Sequence, residues 1–211
     1  MDTLLIQLVA PMQSWGIQSL HGDRDSGLEP SKSGVIGLIC AAMGMDRTAD
    51  LSKVAALRMG VRVDREGTLK KDFQKAEPLD ATGNIVGKVT IGYRHYLSDA
   101  AFLVGLEGDT QVLAAVPTAL QQPVYSLFLG RKAFPPAAPI WLLDGLKPGD
   151  DLESALQNYP PIVSGAPVRR RMVIEDLLGP ILLNDQPVSF SERRFAPRRI
   201  KMVYFEFPME V

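Results

Sequence analysis

Leu4 to Val9 is an unbroken apolar run, long enough for a buried strand and too short for a helix. Pro11, Gly16, Gly22, Gly27 and Pro30 then interrupt every period, so residues 11–31 read as a long loop. Loops of that length in compact domains are usually functional or disordered. A helix follows: Ser31 or Ser33 can cap its start, Val35, Ile36, Leu38, Ile39, Ala42 and Met43 line one broad apolar side, and Gly44 ends it. A second short helix is expected from Asp50 to Leu57. Met59, Val61 and Val63 alternate with polar or small residues, the pattern of a strand over residues 58–63.

The pattern breaks over residues 64–88, which carry five basic side chains, three glycines and few large apolar groups. This stretch reads as an extended loop or a protruding hairpin. Strands resume at Val89 to Leu97 and Ala101 to Leu106, joined by Ser98-Asp99. Val112, Leu113, Val116, Ala119 and Leu120 have helical spacing, predicting a helix over Thr110 to Gln121 with Asp109 or Thr110 as cap and Pro117 as a point of kinking. A further strand is expected at Val124 to Leu129. Beyond it the chain is Pro-rich and irregular until strand candidates at Met172 to Ile174 and Ile200 to Phe207, and residues 145–168 fit no element. The order strand, helix, strand, strand, helix predicts an α+β sandwich of the ferredoxin-like or RRM-like kind.

The chain has 211 residues, enough for one substantial core or for one domain with a smaller appendage. With 46% hydrophobic and 22% charged residues it has the composition of a soluble globular protein. The net charge of -1 gives no global sign of nucleic acid, so any basic surface has to be local. Cys40, the single cysteine, precludes an internal disulfide and suggests a reducing compartment. The first apolar run lacks a basic leader and a small-residue cleavage site, and no apolar stretch is long enough to span a membrane. A cytoplasmic location is the expectation.

Local basic surface is readily found. Between Val168 and Lys201 stand Arg169, Arg170, Arg171, Arg193, Arg194, Arg198, Arg199 and Lys201, against four acidic residues. Arginine forks suit phosphate and stack on bases, although a run of charges is also what a solvated, salt-bridged surface looks like. Gly130-Arg131-Lys132, followed by Phe134-Pro135-Pro136, is a second cluster: a close backbone approach to a ligand, or simply a turn bearing two cations. The third is the helix start Pro30-Ser31-Lys32-Ser33-Gly34, where free amides, two hydroxyls and a lysine could cradle a phosphate. It lacks the spacing of a Walker A loop, and capping alone accounts for both serines. Trp15, beside Gly16, suits base stacking or core packing. Two histidines and one cysteine give no zinc spacing. His21, or His95 beside Tyr93 and Tyr96, is a candidate acid–base group for a metal-independent ribonuclease.

Five stretches, LLIQLVAPMQSWG, PSKSGVIGLICAAMGM, YRHYLSDAAFLVGLEG, PVYSLFLGRKAFPPAAPI and ERRFAPRR, occur in order across nearly the whole chain. In these the sequence resembles the type I-E Cascade subunits of the fifth CRISPR-associated (Cas) protein family, within the RAMP superfamily. The resemblance implies an RRM-like palm over residues 1–145, a thumb hairpin inserted at about 65–88, and a β-containing C-terminal segment, 146–211, packed on the palm. It implies antiviral defence through an RNA-binding subunit that caps the 5′ handle of CRISPR RNA without cutting it. The thumb would cross the junction of handle and spacer. The partners would be the Cascade backbone and large subunits, with target DNA reached through the guide, and no cofactor. Palm contacts to RNA fall on Trp15, Arg24, Ser31, Lys32, Ser33, Arg131 and Lys132, and C-terminal ones on Arg193, Arg194 and Arg198, with Arg169 and Arg170 added from the basic cluster. Lys70, Lys71 and Phe73 would face RNA from the thumb. The sequence departs from many RAMP proteins in having no glycine-rich GxGxxG near the C-terminus; Gly165 and Gly179-Pro180 do not replace it. Type I-C relatives cleave precursor RNA themselves, which keeps an endoribonuclease as the alternative, and a protein-only scaffold as a third reading.

Overall fold

The computed structural model of the protein describes residues 2–16 and 23–207. His21 lies outside them. Along the chain the elements are β1 (Asp2–Val9), β2 (Met12–Gln13), α1 (Lys32–Ala42), α2 (Ser52–Ala55), β3 (Arg58–Arg65), β4 (Thr68–Ala76) and β5 (Thr90–Ser98). They continue as β6 (Ala101–Gly108), α3 (Thr110–Gln121), β7 (Trp141–Lys147), α4 (Leu152–Asn158), β8 (Arg169–Glu175), β9 (Ile181–Ser189) and β10 (Arg194–Glu206). Seven strands form one sheet in the order β7-β1-β6-β3-β8-β10-β9, and β2, β5 and β4 form a second. Every neighbouring pair within these sheets is antiparallel.

The large sheet is covered on both faces. Leu4, Ile6 and Leu8 of β1 point with Met59, Val61, Phe102 and Val104 into a core closed by α1 and α3. Leu5 and Leu103 point the other way, towards Leu152 and Leu156 of α4. A strand buried on both sides has no polar alternation, which is why β1 shows a continuous apolar run. Helix α1 starts where expected: the Ser31 hydroxyl accepts from the Gly34 amide, and Gly44, at φ 71°, follows its end. Asp109 caps α3, accepting from Gln111 and Val112, and the helix runs through Pro117.

Three expectations are corrected. Residues 89–97 and 101–106 do not belong to one sheet. The chain turns at Asp99, φ 60°, so that β6 lies between β1 and β3 while β5 pairs with β4 and β2. Residues 124–129 are not a strand. After Pro123, the Val124 and Tyr125 amides bond to the last carbonyls of α1, on Ala42 and Ala41, and Leu129 drops into the core. The strand that pairs with the free side of β1 is β7, which a bulge at Leu4/Ile6 makes irregular. The C-terminal third is not irregular: α4, β8, β9 and β10 extend the sheet, β10 starting at Arg194 rather than Ile200.

Candidate nucleic-acid interface

Strands β4 and β5 pair without interruption from Thr68↔Ser98 to Ala76↔Thr90. Opposed residues in an antiparallel ribbon point to the same side, so the register sorts the side chains. Lys70 lies opposite Tyr96 and Asp72 opposite Arg94. On the other edge of β5, Arg24 bridges to Arg94, with the Arg24 amide donating to Tyr93 O at 2.8 Å and the His95 amide to Arg24 O at 2.8 Å. One face therefore carries Arg24, Lys70, Arg94 and Tyr96, with Asp72 among them.

Arg131 reaches this face from a separate loop. Its Nη2 donates to His95 O at 2.8 Å, and its guanidinium stands 5.4 Å over the Phe134 ring, which itself packs against Tyr96 at 5.8 Å. The loop is held by bonds from Ser14 N to Leu129 O and from Phe134 N to Arg131 O. Gly130, at φ 90°, has a structural task here rather than a ligand-facing one: a Cβ would lie 1.7 Å from the Ser14 carbonyl oxygen. Partial burial, followed by the positive charges of Arg94 and Arg24, lowers the proton affinity of Arg131, and Asp72 opposes this. No described carboxylate forms an ion pair with Arg24, Lys70, Arg94 or Arg131.

The opposite face of the ribbon is aromatic. Phe73 lies across from Tyr93 with ring centroids 5.9 Å apart, and the Lys71 ammonium sits 3.6 Å over Tyr93. Phe73 is exposed. Pleating thus separates the expected trio: Lys71 and Phe73 share one face, and Lys70 is on the other.

Several other expected contacts are inside the protein. Trp15 is 1% exposed, donates Nε1–H to Gln13 Oε1 at 3.1 Å and lies against Gly34, so its ring is closed to base stacking. The start of α1 is not an open phosphate cradle. The Lys32 amide already donates to Asp185 Oδ2 at 2.7 Å, and the buried Lys32 ammonium pairs with Glu175 at 2.9 Å. Ser31 is buried as the cap, with the Ser33 hydroxyl 3.5 Å from its own.

The C-terminal basic run is also largely self-paired. Arg198 forks onto Asp185 at 2.6 and 2.9 Å, Arg171 pairs with Glu66 and Glu29, and Arg170 lies buried 3.6 Å from Asp64. Lys201 pairs with Glu153 and Asp176, and Arg199 donates to Gly179 O. Arg169 on β8, over Tyr204 at 5.0 Å, Arg193 in the β9–β10 turn and Arg194 at the start of β10, 3.4 Å from Glu192, remain exposed. Lys132 is exposed beside Arg131. Sequence reasoning missed Arg94; the alternation Arg94, Tyr96 opposite Tyr93, His95 was the signal available for it. No group of three or more potential metal ligands occurs among the described residues.

Comparison with known proteins agrees with this architecture. The chain's residues 3–204 match the family model described as CRISPR-associated protein (Cas_Cas5). The CRISPR system Cascade subunit CasD of Escherichia coli (strain K12) is 29% identical over 212 residues, which cover 92% of each protein. A solved structure described as a crystal structure of Cas protein matches with a TM-score of 0.82 and 44% identity, over 97% of this chain and 95% of that one. A chain of a CRISPR RNA-guided surveillance complex matches with a TM-score of 0.80 and 32% identity, over 98% and 91%. A fold likeness at these identities, together with a family match spanning almost every described residue, settles the lineage: the chain belongs to the CRISPR-associated protein (Cas_Cas5) family.

Proposed function

We propose that the protein is a non-catalytic subunit of a type I-E Cascade complex that binds and caps the 5′ handle of CRISPR RNA. The observation that carries this reading is the cationic ribbon face, where Arg24, Lys70, Arg94 and Arg131 stand beside Tyr96 and Phe134, with Asp72 among them but no described ion pair. Cations for phosphates next to rings for bases are the pairing that single-stranded RNA requires. The likeness to a Cascade subunit and to a chain of an RNA-guided surveillance complex supports the same assignment.

In this reading β7, β1, β6 and β3 are the sheet of an RRM-like palm. Numbered as four strands of a β-α-β-β-α-β unit they stand in the order 4-1-3-2, which is the order such a sandwich requires. The ribbon of β4 and β5 is the thumb, longer than the segment expected from sequence because β5 belongs to it, and it crosses the RNA where handle meets spacer. The described part of the C-terminal segment, residues 146–207, extends the palm towards the backbone and large subunits. The protein works in the cytoplasm and meets target DNA only through the guide. No helix among the described residues is long and apolar enough to cross a membrane.

Reconstitution with the partner subunits and a guide RNA tests this. The wild-type complex is expected to retain guides with protected 5′ handles, and the Lys70→Glu, Arg131→Glu double variant to lose them while still assembling. Unchanged retention would favour a protein-only scaffold. Metal-independent cutting of repeat RNA by the free chain, abolished by His95→Ala, would establish the nuclease instead.

A further inference from the structure

The three arginines at the root of the ribbon come from three separate segments, yet each is fixed by backbone geometry. Arg24 and Arg94 are bridge partners, so their side chains leave the sheet on the same side. Arg131 is turned towards them by its bond to the His95 carbonyl and by the Phe134 ring beneath it. Burial first, and then the positive charges of Arg94 and Arg24, lower the proton affinity of Arg131, while Asp72 on the same face opposes this. Of the described carboxylates on this part of the chain, Asp23 accepts from the Tyr93 amide at 3.1 Å and Asp72 accepts from the Gln74 amide group.

We infer that Arg24, Arg94 and Arg131 form a clamp for one backbone phosphate of single-stranded RNA. The inference rests on the RNA-binding reading above and makes it specific: the charges act on a single linkage, not as a diffuse cationic surface. A phosphodiester offers two unesterified oxygens, and an Arg fork can donate to both in parallel. With one Arg131 donor spent on His95 O, the remaining donors are free for the ligand. Asp72, on the same face, repels a neighbouring phosphate and so fixes the direction in which the strand leaves the clamp.

The test is a competition during reconstitution of the full complex, between an unmodified guide and guides carrying one neutral methylphosphonate linkage in the handle. Each is run with the wild-type chain and with Arg94→Gln, which keeps an amide donor and most of the side-chain length; complex assembly reports its folding. A clamp predicts a single linkage at which neutralisation lowers wild-type retention by about tenfold, the size of one lost charge-assisted hydrogen bond or more. That penalty should shrink to less than about twofold in Arg94→Gln, since the two changes remove the same interaction. Equal penalties in both proteins at every linkage would overturn the clamp, while loss of RNA from the Lys70→Glu, Arg131→Glu variant would leave the RNA platform standing. If neither variants nor linkages alter retention, both fail, and the arginines then face a carboxylate of a neighbouring protein.

Discussion

Arg62 and Arg131 show the same side chain put to opposite uses. Arg62 is fully buried, forks onto Asp64 at 2.7 and 2.8 Å, and donates to the carbonyls of Leu156, Tyr159 and Pro160. It ties β3 to the end of α4, and nothing outside can reach it. Arg62→Met leaves the buried Asp64 carboxylate with the Ile162 amide and the more distant Arg170 as its described partners, and is expected to cost about 3–5 kcal/mol in chemical denaturation. Trp15→Ala should cost a similar amount, about 3–5 kcal/mol, through the cavity it leaves. Trp15→Phe, by contrast, should keep guide retention within about twofold; a larger loss in a stable Phe variant would show that the indole meets RNA after all. Composition does not distinguish these uses. A charge run in sequence says nothing about which carboxylate will close on it, whether 13 residues away as Asp185 is from Arg198 or 143 as Glu175 is from Lys32, so Lys32, Arg170 and Arg198 passed for surface cations. Arg131 could be anticipated because Gly130 and the prolines after it mark a loop, where side chains stay accessible, whereas Arg24 was indicated only by the family resemblance.

At the scale of elements, the period of the side chains decides what can be read and what can be bound. Helices α1 and α3 were legible because each has a cap and an apolar stripe. Helix α4 was missed although Asp151 caps it and Leu152, Ala155 and Leu156 face the core, because two turns give too short a period to stand out. Strand β9 hides for another reason. It contains Asn184, Asp185 and Pro187, poor strand formers, and its buried Asp185 serves an ion pair instead of an apolar face. The ribbon was read as an extended loop or protruding hairpin over residues 64–88 followed by a strand, without the pairing of β4 with β5. Its period of two yields a direct prediction: Lys70→Glu should reduce guide retention by about tenfold and Lys71→Glu by less than threefold, since the two lysines lie on opposite faces. Equal losses would mean that RNA wraps both sides of the ribbon.

For the whole molecule, the layered core sets behaviour that no single element shows. Cys40 lies in the small cluster between α1 and α2, where burial pushes its thiol from 9.0 up to about 11. The unfolded chain gives up this proton between those values while the folded chain keeps it. Stability from this source is therefore complete below about pH 9 and is lost as the pH rises towards 11, by roughly 2 kcal/mol. Unfolding titrations between pH 8 and 11 should show this fall in the wild type and a smaller one in Cys40→Ala. In the native state the thiol should resist alkylation at neutral pH and react fully once the chain is denatured.

Asp185 caps the first helix of the protein from its last quarter, 153 residues along the chain, while Glu175 and Arg198 complete the charge layer around Lys32. A ribosome delivers Lys32 long before any of these groups. Until β8, β9 and β10 emerge, the ammonium has no internal partner and the amide at the start of α1 has only water. During synthesis the N-terminal half is thus held short of its final packing until β8, β9 and β10 have followed. Fragments that stop short of these strands would keep that helix end open and hydrated, a difference on which quality control can act.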